Sequence, residues 1–432
     1  MHPMIKPALR RGWQDRQTVR FGVTPPHAVL LGPLDSATET FLALLDGTRG
    51  LPALRAAAGR LGMPPGAADR VARRLADAGL LEDATADRAA AARISERLRP
   101  DLAAQSLLTH EPGGGLGRLE ARRAARVQVR GAGRVGAGLA VALAQAGVGR
   151  VEVVDGGRVE PADTAPGGIP AGYTGRRRDG AARAVVRAAQ PWRSDADRGR
   201  RPEGARLVVL APRDGVRAYV PDPDPAASAM DGEVPHLYAG VVEATGFVGP
   251  LVLPGVSACA ECLLRHRTRR EPSWPLLVGQ WRNARTPGVP ACDAALAVAV
   301  AGLAAATALA YLDDPASTPA GVRSELSLPT LDMRREDVLP HPECPCGAAA
   351  AAGGADGAGR TAEAGHRPER RGTAAAEHDG AARVPERRVP EQRVPPRGRP
   401  GREVPGRADR RVGEPVEAAG RRTAAGAGRA VT

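Results

Sequence analysis

Polar and apolar positions alternate cleanly in "RVQVR", Arg126–Arg130, where Val127 and Val129 stand between Arg126, Gln128 and Arg130. Period two predicts a strand with one buried face. A glycine turn follows, Gly131, Gly133 and Gly136, and then an apolar stretch from about Val135 to Ala146 whose spacing is helical and which Gly147 ends. "RVEVVD" predicts a second strand, with Asp155 at its end, 24 residues after Gly131. Strand, glycine turn, helix, strand and acid together are the pattern of a nucleotide fold. The first glycine permits the tight turn. The second lets backbone amides approach phosphate, and the third lets the helix pack on the strand. The helix N-terminus faces the anion, and the acid accepts from ribose hydroxyls.

Ahead of this segment the pattern is different. "TVRFGV" (Thr18–Val23) and "HAVLLGPL" (His27–Leu34) predict two short strands around a Pro25-Pro26 turn. "SATETFLALLDG" predicts a helix with Ser36 as N-cap and Glu39 three residues on, ending at Gly47. "LPALRAAAGRLG" predicts a second helix, and a third carries Val71, Leu75 and Ala78 at helical spacing before Gly79. Behind it, Ala294–Leu312 is an apolar run long enough to approach a membrane span. It is mostly alanine, which drives insertion weakly, so it is expected as a buried helix packed close to a sheet. The expected organisation is a small winged-helix-like module over 1–84, a linker helix and Gly-rich link over 85–125, and an α/β domain with a Rossmann-like doubly wound sheet over 126–346. Residues 347–432, rich in Ala, Gly, Pro and Arg, bury too little to offset ordering entropy and are expected to be disordered.

Composition adjusts this picture. The formal net charge is +13, which raises the question of nucleic acid. Almost all the cations are arginines, Lys6 being the one lysine, and 17 Arg against 11 Asp and Glu after residue 346 leave +7 for the rest. Aromatics are 3% of the chain, and no basic stripe is interleaved with them. A dedicated nucleic-acid binder is not expected. Five cysteines in 432 residues make no disulfide framework, and the first residues show no signal-peptide pattern, so a cytoplasmic protein is expected.

Four of the cysteines are paired, Cys259 with Cys262 and Cys344 with Cys346. Two close pairs far apart in sequence predict a four-thiolate, structural Zn2+ site, with His266 and His341 as substitute ligands nearby. Cys292 stands alone at the expected start of the Ala-rich helix, where the dipole favours thiolate and Asp293 opposes it. It reads either as a reactive thiol or as a small residue packing a helix start.

The neighbourhood "GVGRVEVVDGGRVEPAD" resembles the ThiF/MoeB branch of the ubiquitin-activating superfamily, adenylyltransferases whose nucleotide is ATP rather than NAD. "YTGRRRDGAARAVVRAAQP" is similar to that family's Gly-Arg-Pro-Lys-Ala helix, "LVVLAP" to its next core strand, and "VPHLYAGVVEATGFVGPLVLPGVSACAEC" to its central strand, glycine loop and zinc knuckle. The resemblance covers roughly residues 105–346. It implies ATP with Mg2+, adenylation of the C-terminal carboxylate of a peptide or carrier protein, and a homodimer. Asp155 and Glu160 keep the family's acids. The family's Asn is Asp163 here, its arginine falls near Pro166, its phosphate-contacting lysine is Arg178, and its metal-binding aspartate falls at Ala211 or Pro212, with Asp214 displaced. Arg178 and Cys292 are therefore the catalytic candidates, with electrostatics weakened around the triphosphate. Leu263–Arg285, with Trp274 and Trp281, reads either as that family's crossover loop over the substrate tail or as a packed surface loop. The N-terminal module resembles PqqD-like elements, which bind a leader peptide as an added strand; it reads equally as a small helical interaction domain. Two other readings stay open: a scaffold of the same fold that has lost the chemistry, and an NAD-dependent oxidoreductase, for which no hydride-transfer dyad is present.

Overall fold

The computed structural model describes residues 1–86, 88, 94–192, 204–221, 223–283 and 289–351. These lie in one compact unit, Met1–Glu363. The N-terminal part holds β1 (Pro3–Ile5), β2 (Arg11–Trp13), β3 (Val19–Phe21), β4 (Val29–Leu31), α1 (Ser36–Ala43), α2 (Leu51–Arg60), α3 (Ala67–Asp77) and β5 (Leu81–Asp83). The two expected strands are β3 and β4. β2 joins them in an antiparallel meander, while β1 pairs with β5 in a separate ribbon. The arrangement has five strands in two sheets rather than the expected two, and the leading strands precede all three helices. Phe21, Leu31, Phe41, Leu54 and Leu75 build its core. Asp35, not Ser36, caps α1 by accepting from the Thr38 amide.

Helices α4 (Arg99–Leu107) and α5 (Gly114–Ala124) lead into the main sheet. Its first part is β6 (Arg126–Arg130), α6 (Arg134–Gln145), β7 (Arg150–Val154), α7 (Arg178–Ala189) and β8 (Leu207–Leu210). It continues through α8 (Val216–Tyr219), α9 (Pro223–Asp231), β9 (His236–Val242), β10 (Thr245–Val252), α10 (Ala260–Arg270), α11 (Trp274–Asn283), α12 (Ala294–Asp313), β11 (Val322–Ser327) and β12 (Asp332–Asp337). Seven strands align in the order β12-β11-β10-β9-β8-β6-β7. β7, β6, β8 and β9 run parallel, and β10, β11 and β12 continue the sheet antiparallel. The sheet is thus α/β and mixed, not parallel throughout.

Alternation in β6 appears as expected, with Val127 and Val129 fully buried. The scarcity of aromatics is met by small residues: Ala137, Ala140 and Ala144 of α6 share a core with Ala297, Ala301, Ala304 and Ala308 of α12. A Cβ on Gly246 of β10 would lie 2.3 Å from Val300 Cγ2, so α12 rides close to the sheet. α12 is the one helix among the described residues long and apolar enough to cross a membrane, and half of it is buried in this packing. A bidentate pair from Arg122 of α5 to Asp313 closes its C-terminal end. The expected tail lies outside the described residues beyond 351. Of its first residues, 348–351 form a helical turn with Ala348 buried.

Candidate functional site

From β6 the chain crosses to β7 on one side and β8 lies on the other, so the sheet order reverses there. A crevice opens at the carboxyl ends of β6 and β8, the place where open α/β sheets take ligands. The glycine turn fills it. Gly131 has φ +118°, and a Cβ there would sit 2.0 Å from Ala211 O. A Cβ on Gly136 would sit 2.2 Å from Gly131 O. Both positions are therefore closed to side chains by backbone. A Cβ on Gly133 would meet Arg213 Cα at 3.1 Å, so the approach at this glycine is to the loop after β8.

Asp155 ends β7 and folds back on the turn. Its Oδ2 accepts from the Ala132 amide at 2.9 Å, and its Oδ1 from the Gly157 amide at 2.8 Å. Arg178, at the first position of α7, donates Nε to the same Oδ1 at 2.9 Å and Nη1 to Asp163 Oδ2 at 3.3 Å. The expected nucleotide residues Gly131, Gly133, Gly136 and Asp155 thus come together, and Arg178 joins them. Asp163 is 2% exposed and takes two further bonds, from the Glu160 amide at 2.9 Å and from Arg213 Nε at 2.5 Å. Arg213 Nη2 also reaches Glu160 Oε2 at 2.6 Å. Asp163 and Glu160 outweigh burial and hold the Arg213 guanidinium above its ordinary range.

Arg213 was not expected. The sequence suggested an acid after the β8 strand, and Asp214 is the nearest one. The structure turns Asp214 away to accept from the Val216 amide at the start of α8. The side chain entering the crevice is the guanidinium one residue earlier. Arg134, also unexpected, donates Nε to Ala162 O and Nη1 to Cys292 O, both at 2.7 Å. Three arginines and the carboxylates of Asp155, Glu160 and Asp163 balance in formal charge. The space left between Gly133, Arg134, Asp163, Arg213 and Cys292 is about 20 Å3, room for about one water. A space of this size holds a triphosphate only after its lining side chains move. Asp163 carries three donors, so its oxygens fit no magnesium ion in this arrangement.

Cys292 lines this space, but its thiol is not activated. Burial pushes it up, Arg134 opposes this, and Asp293 adds to it. The expected helix dipole is taken by Asp293, the N-cap, which accepts from the Ala295 and Leu296 amides. Over its described residues, to Asn283, Leu263–Arg285 is the rest of α10 and all of α11, joined by a turn at 271–273, rather than one loop. Trp274 and Trp281 of α11 meet edge to face at 5.3 Å.

The paired cysteines converge on the opposite side of the sheet. Cys259 caps α10, Cys262 lies in its first turn, and Cys344 and Cys346 follow β12. Their Sγ atoms all lie within 4.8 Å of one another, with separations of 3.9 Å (259–262), 3.6 Å (259–344) and 3.6 Å (262–346). A zinc ion at about 2.3 Å from four sulfurs sets tetrahedral edges of about 3.8 Å, so the donor set fits Zn2+. Hydrogen bonding from Cys259 and the His341 amide brings the Cys262 thiol down to about 4, against burial. Burial raises Cys344 to about 11. His266 and His341 are not in the set. They meet edge to face at 4.9 Å, with His266 on Leu339 O and His341 Nδ1 accepting from the Glu343 amide.

Comparisons with known proteins bear on the same region. No curated protein sequence matches this chain. Among solved structures, E. coli MccB with succinimide superposes with a TM-score of 0.60 at 14% identity, covering 80% of this chain and 99% of that one. E. coli MccB with ATP gives a TM-score of 0.58 at 15% identity, covering 80% and 100%. The heterocyclase TruD gives 0.52 at 18% identity, covering 80% of this chain and 43% of that chain. At these identities the likeness is one of fold. The ThiF family profile matches residues 107–202, the stretch with the glycine turn, Asp155, Asp163 and Arg178. The chain carries a ThiF family domain.

Proposed function

We propose that this chain uses ATP to adenylate the C-terminal carboxylate of a peptide or small carrier protein, in the maturation of a ribosomal peptide. The observation that carries the reading is the glycine turn and Asp155 at the sheet's switch point, with Arg134, Arg178 and Arg213 converging there. The fold's likeness to E. coli MccB, solved with ATP and, as the microcin C7 biosynthetic enzyme, with N-formylated MccA, supports ATP over NAD and a peptide as the second substrate. In the reaction the carboxylate oxygen attacks the α-phosphorus, a P–O bond forms to the carboxylate, and pyrophosphate leaves with the electrons of the broken bond.

The residues present divide the work. Asp155 keeps a lone pair beyond its three donors for a ribose hydroxyl. The amides at the start of α6 face the phosphates with the positive end of the helix. Arg178 and Arg213 supply fixed positive charge where negative charge develops, once the polyphosphate replaces Asp155 and Asp163 as their partner. That exchange leaves the displaced carboxylates beside added negative charge, so binding is expected to be weak without peptide. Zn2+ held by Cys259, Cys262, Cys344 and Cys346 would join the chain after β12 to α10. The edges of the β2-β3-β4 meander offer backbone to an added peptide strand, which suits a peptide-binding role for the N-terminal module. A homodimer and a cytoplasmic setting accord with this reading.

One observation favours a second reading, a scaffold that binds nucleotide or peptide without turnover: both arginines are satisfied by the site's own carboxylates. Incubation with ATP, magnesium and candidate peptides bearing a free C-terminal carboxylate separates the two. Pyrophosphate and a peptide adenylate by mass are expected. Nucleotide-dependent stabilisation with no product supports the scaffold, and stabilisation by NAD but not ATP returns the oxidoreductase.

A further inference from the structure

Two glycines follow Asp155, and only the second has a neighbour that excludes a side chain. Neither Gly156 nor Gly157 has a φ in the left-handed region, so the backbone itself requires glycine at neither position. A Cβ on Gly156 would meet nothing within 4 Å. A Cβ on Gly157 would lie 2.0 Å from Arg178 Nη2, 2.5 Å from Arg178 Cζ and 3.0 Å from Arg178 Nη1. No backbone atom is among these three nearest neighbours. The guanidinium therefore occupies the volume that a side chain at 157 would fill.

Backbone holds both sides of this slot in place. The chain from Gly157 to Val159 runs antiparallel to the chain from Gly175 to Arg178. The Arg178 amide donates to Gly157 O, the Val159 amide to Arg176 O and the Gly175 amide to Val159 O, each at 2.8 Å. The Gly157 amide is tied in turn to Asp155 Oδ1 at 2.8 Å. The Cα of Gly157 cannot retreat without breaking these bonds, so the group that yields to a side chain there is the Arg178 fork. Inside the slot Nε donates to Asp155, and Nη1 donates both to Asp163 and, at 2.9 Å, to Arg158 O. The last acceptor is backbone, so this bond does not depend on the two carboxylates. The Arg178 side chain is 13% exposed, which shields the guanidinium from reagents in solvent.

We propose that Gly157 is a positioning residue for Arg178: by lacking a side chain it leaves the slot from which the guanidinium spans Asp155 and Asp163. A larger residue at 157 turns the fork out of the slot while the chain folds as before, because what it displaces is the end of a flexible side chain. The consequence for ATP chemistry rests on the adenylation reading above; the consequence for the place of Arg178 does not.

The full chain with zinc is compared as wild type, Gly156→Ala, Gly157→Ala, Arg178→Ala and Gly157→Ala/Arg178→Ala. Phenylglyoxal, a dicarbonyl specific for arginine, is applied without nucleotide, and the rate of modification at Arg178 is read by peptide mass. Arg178 is expected to react about tenfold faster in Gly157→Ala than in wild type, the scale of one charge-assisted bond lost. In Gly156→Ala it is expected to react at the wild-type rate. Gly157→Ala is expected to melt within about 4 °C of wild type and to add nothing to the melting change of Arg178→Ala, since the two substitutions remove one interaction. In pyrophosphate exchange Gly157→Ala is expected to be at least about tenfold slower than wild type, and the double variant no slower than Arg178→Ala. Arg178 as protected in Gly157→Ala as in wild type overturns the proposal. So does a melting change from Gly157→Ala that is the same size with Arg and with Ala at 178. If the wild type shows no exchange, the adenylation reading fails, and the modification rate and melting decide the place of Arg178 by themselves.

Discussion

Asp313→Ala removes the carboxylate that takes Arg122 Nε at 2.7 Å and Nη2 at 2.5 Å. The two side chains are 4% and 6% exposed, so water cannot replace the lost partner. Arg122 retains Ala146 O at 3.3 Å and the more distant charge of Asp101. Stranding one member of a buried ion pair costs about 3–5 kcal/mol. For a folded unit of this size each kcal/mol lowers the melting temperature by about 2–4 °C, so a drop of about 6–20 °C is expected. Urea unfolding of the full chain, followed by circular dichroism, measures the free energy directly. The double variant Arg122→Met/Asp313→Leu removes both charges and is expected to recover most of the loss, because neither charge is then left alone. A loss below about 1 kcal/mol for Asp313→Ala, the level of an exposed pair, refutes the reasoning. So does a double variant no more stable than the single one.

Further outcomes follow from the crevice and the cysteine cluster. Gly136→Ala pushes a Cβ against Gly131 O and Ala211 O; it is expected to lower stability by about 1–3 kcal/mol and to abolish stabilisation by ATP in a thermal-shift assay. Arg178→Ala is expected to reduce pyrophosphate exchange by about 10²–10³, while Cys292→Ser leaves it unchanged, both read in the same exchange assay. Cys262→Ala is expected to lose stoichiometric zinc by metal analysis and to melt earlier, and chelation of the wild-type protein to give the same shift. Glu152 is partly buried, which opposes ionisation, but Arg126 and Arg150 outweigh this and lower its pKa below 4.5. Its contribution to stability is therefore full above 4.5 and lost as pH falls through the lower folded value, and Glu152→Gln is expected to flatten that part of an acid-unfolding curve.

What the sequence revealed was local. Val127, Val129, the glycine turn, α6 and Asp155 follow one another within 30 residues, and each obeys a short-range rule. The cysteine pairs were legible for the same reason, since thiols at such spacing have few uses. What it hid was brought together from a distance. Arg213 meets Asp163 across 50 residues, and no period or motif marks an arginine as the one that turns inward. Arg122 meets Asp313 across 191. β1 and β5 are three residues each and 76 apart, too short to show alternation, so the N-terminal module was read with two strands instead of five. Of the two readings of Cys292, the packing residue is the one the local geometry favours: Asp293, already expected to oppose a thiolate, caps α12 and takes its first amides.

The central claim is that the crevice at the ends of β6 and β8 activates a peptide carboxylate with ATP. The most direct test is ATP–pyrophosphate exchange by the purified full chain with magnesium and its precursor peptide. Exchange that depends on the peptide's free C-terminal carboxylate, and that is lost in Gly136→Ala, is the predicted result. No exchange above background with a peptide shown to bind contradicts it.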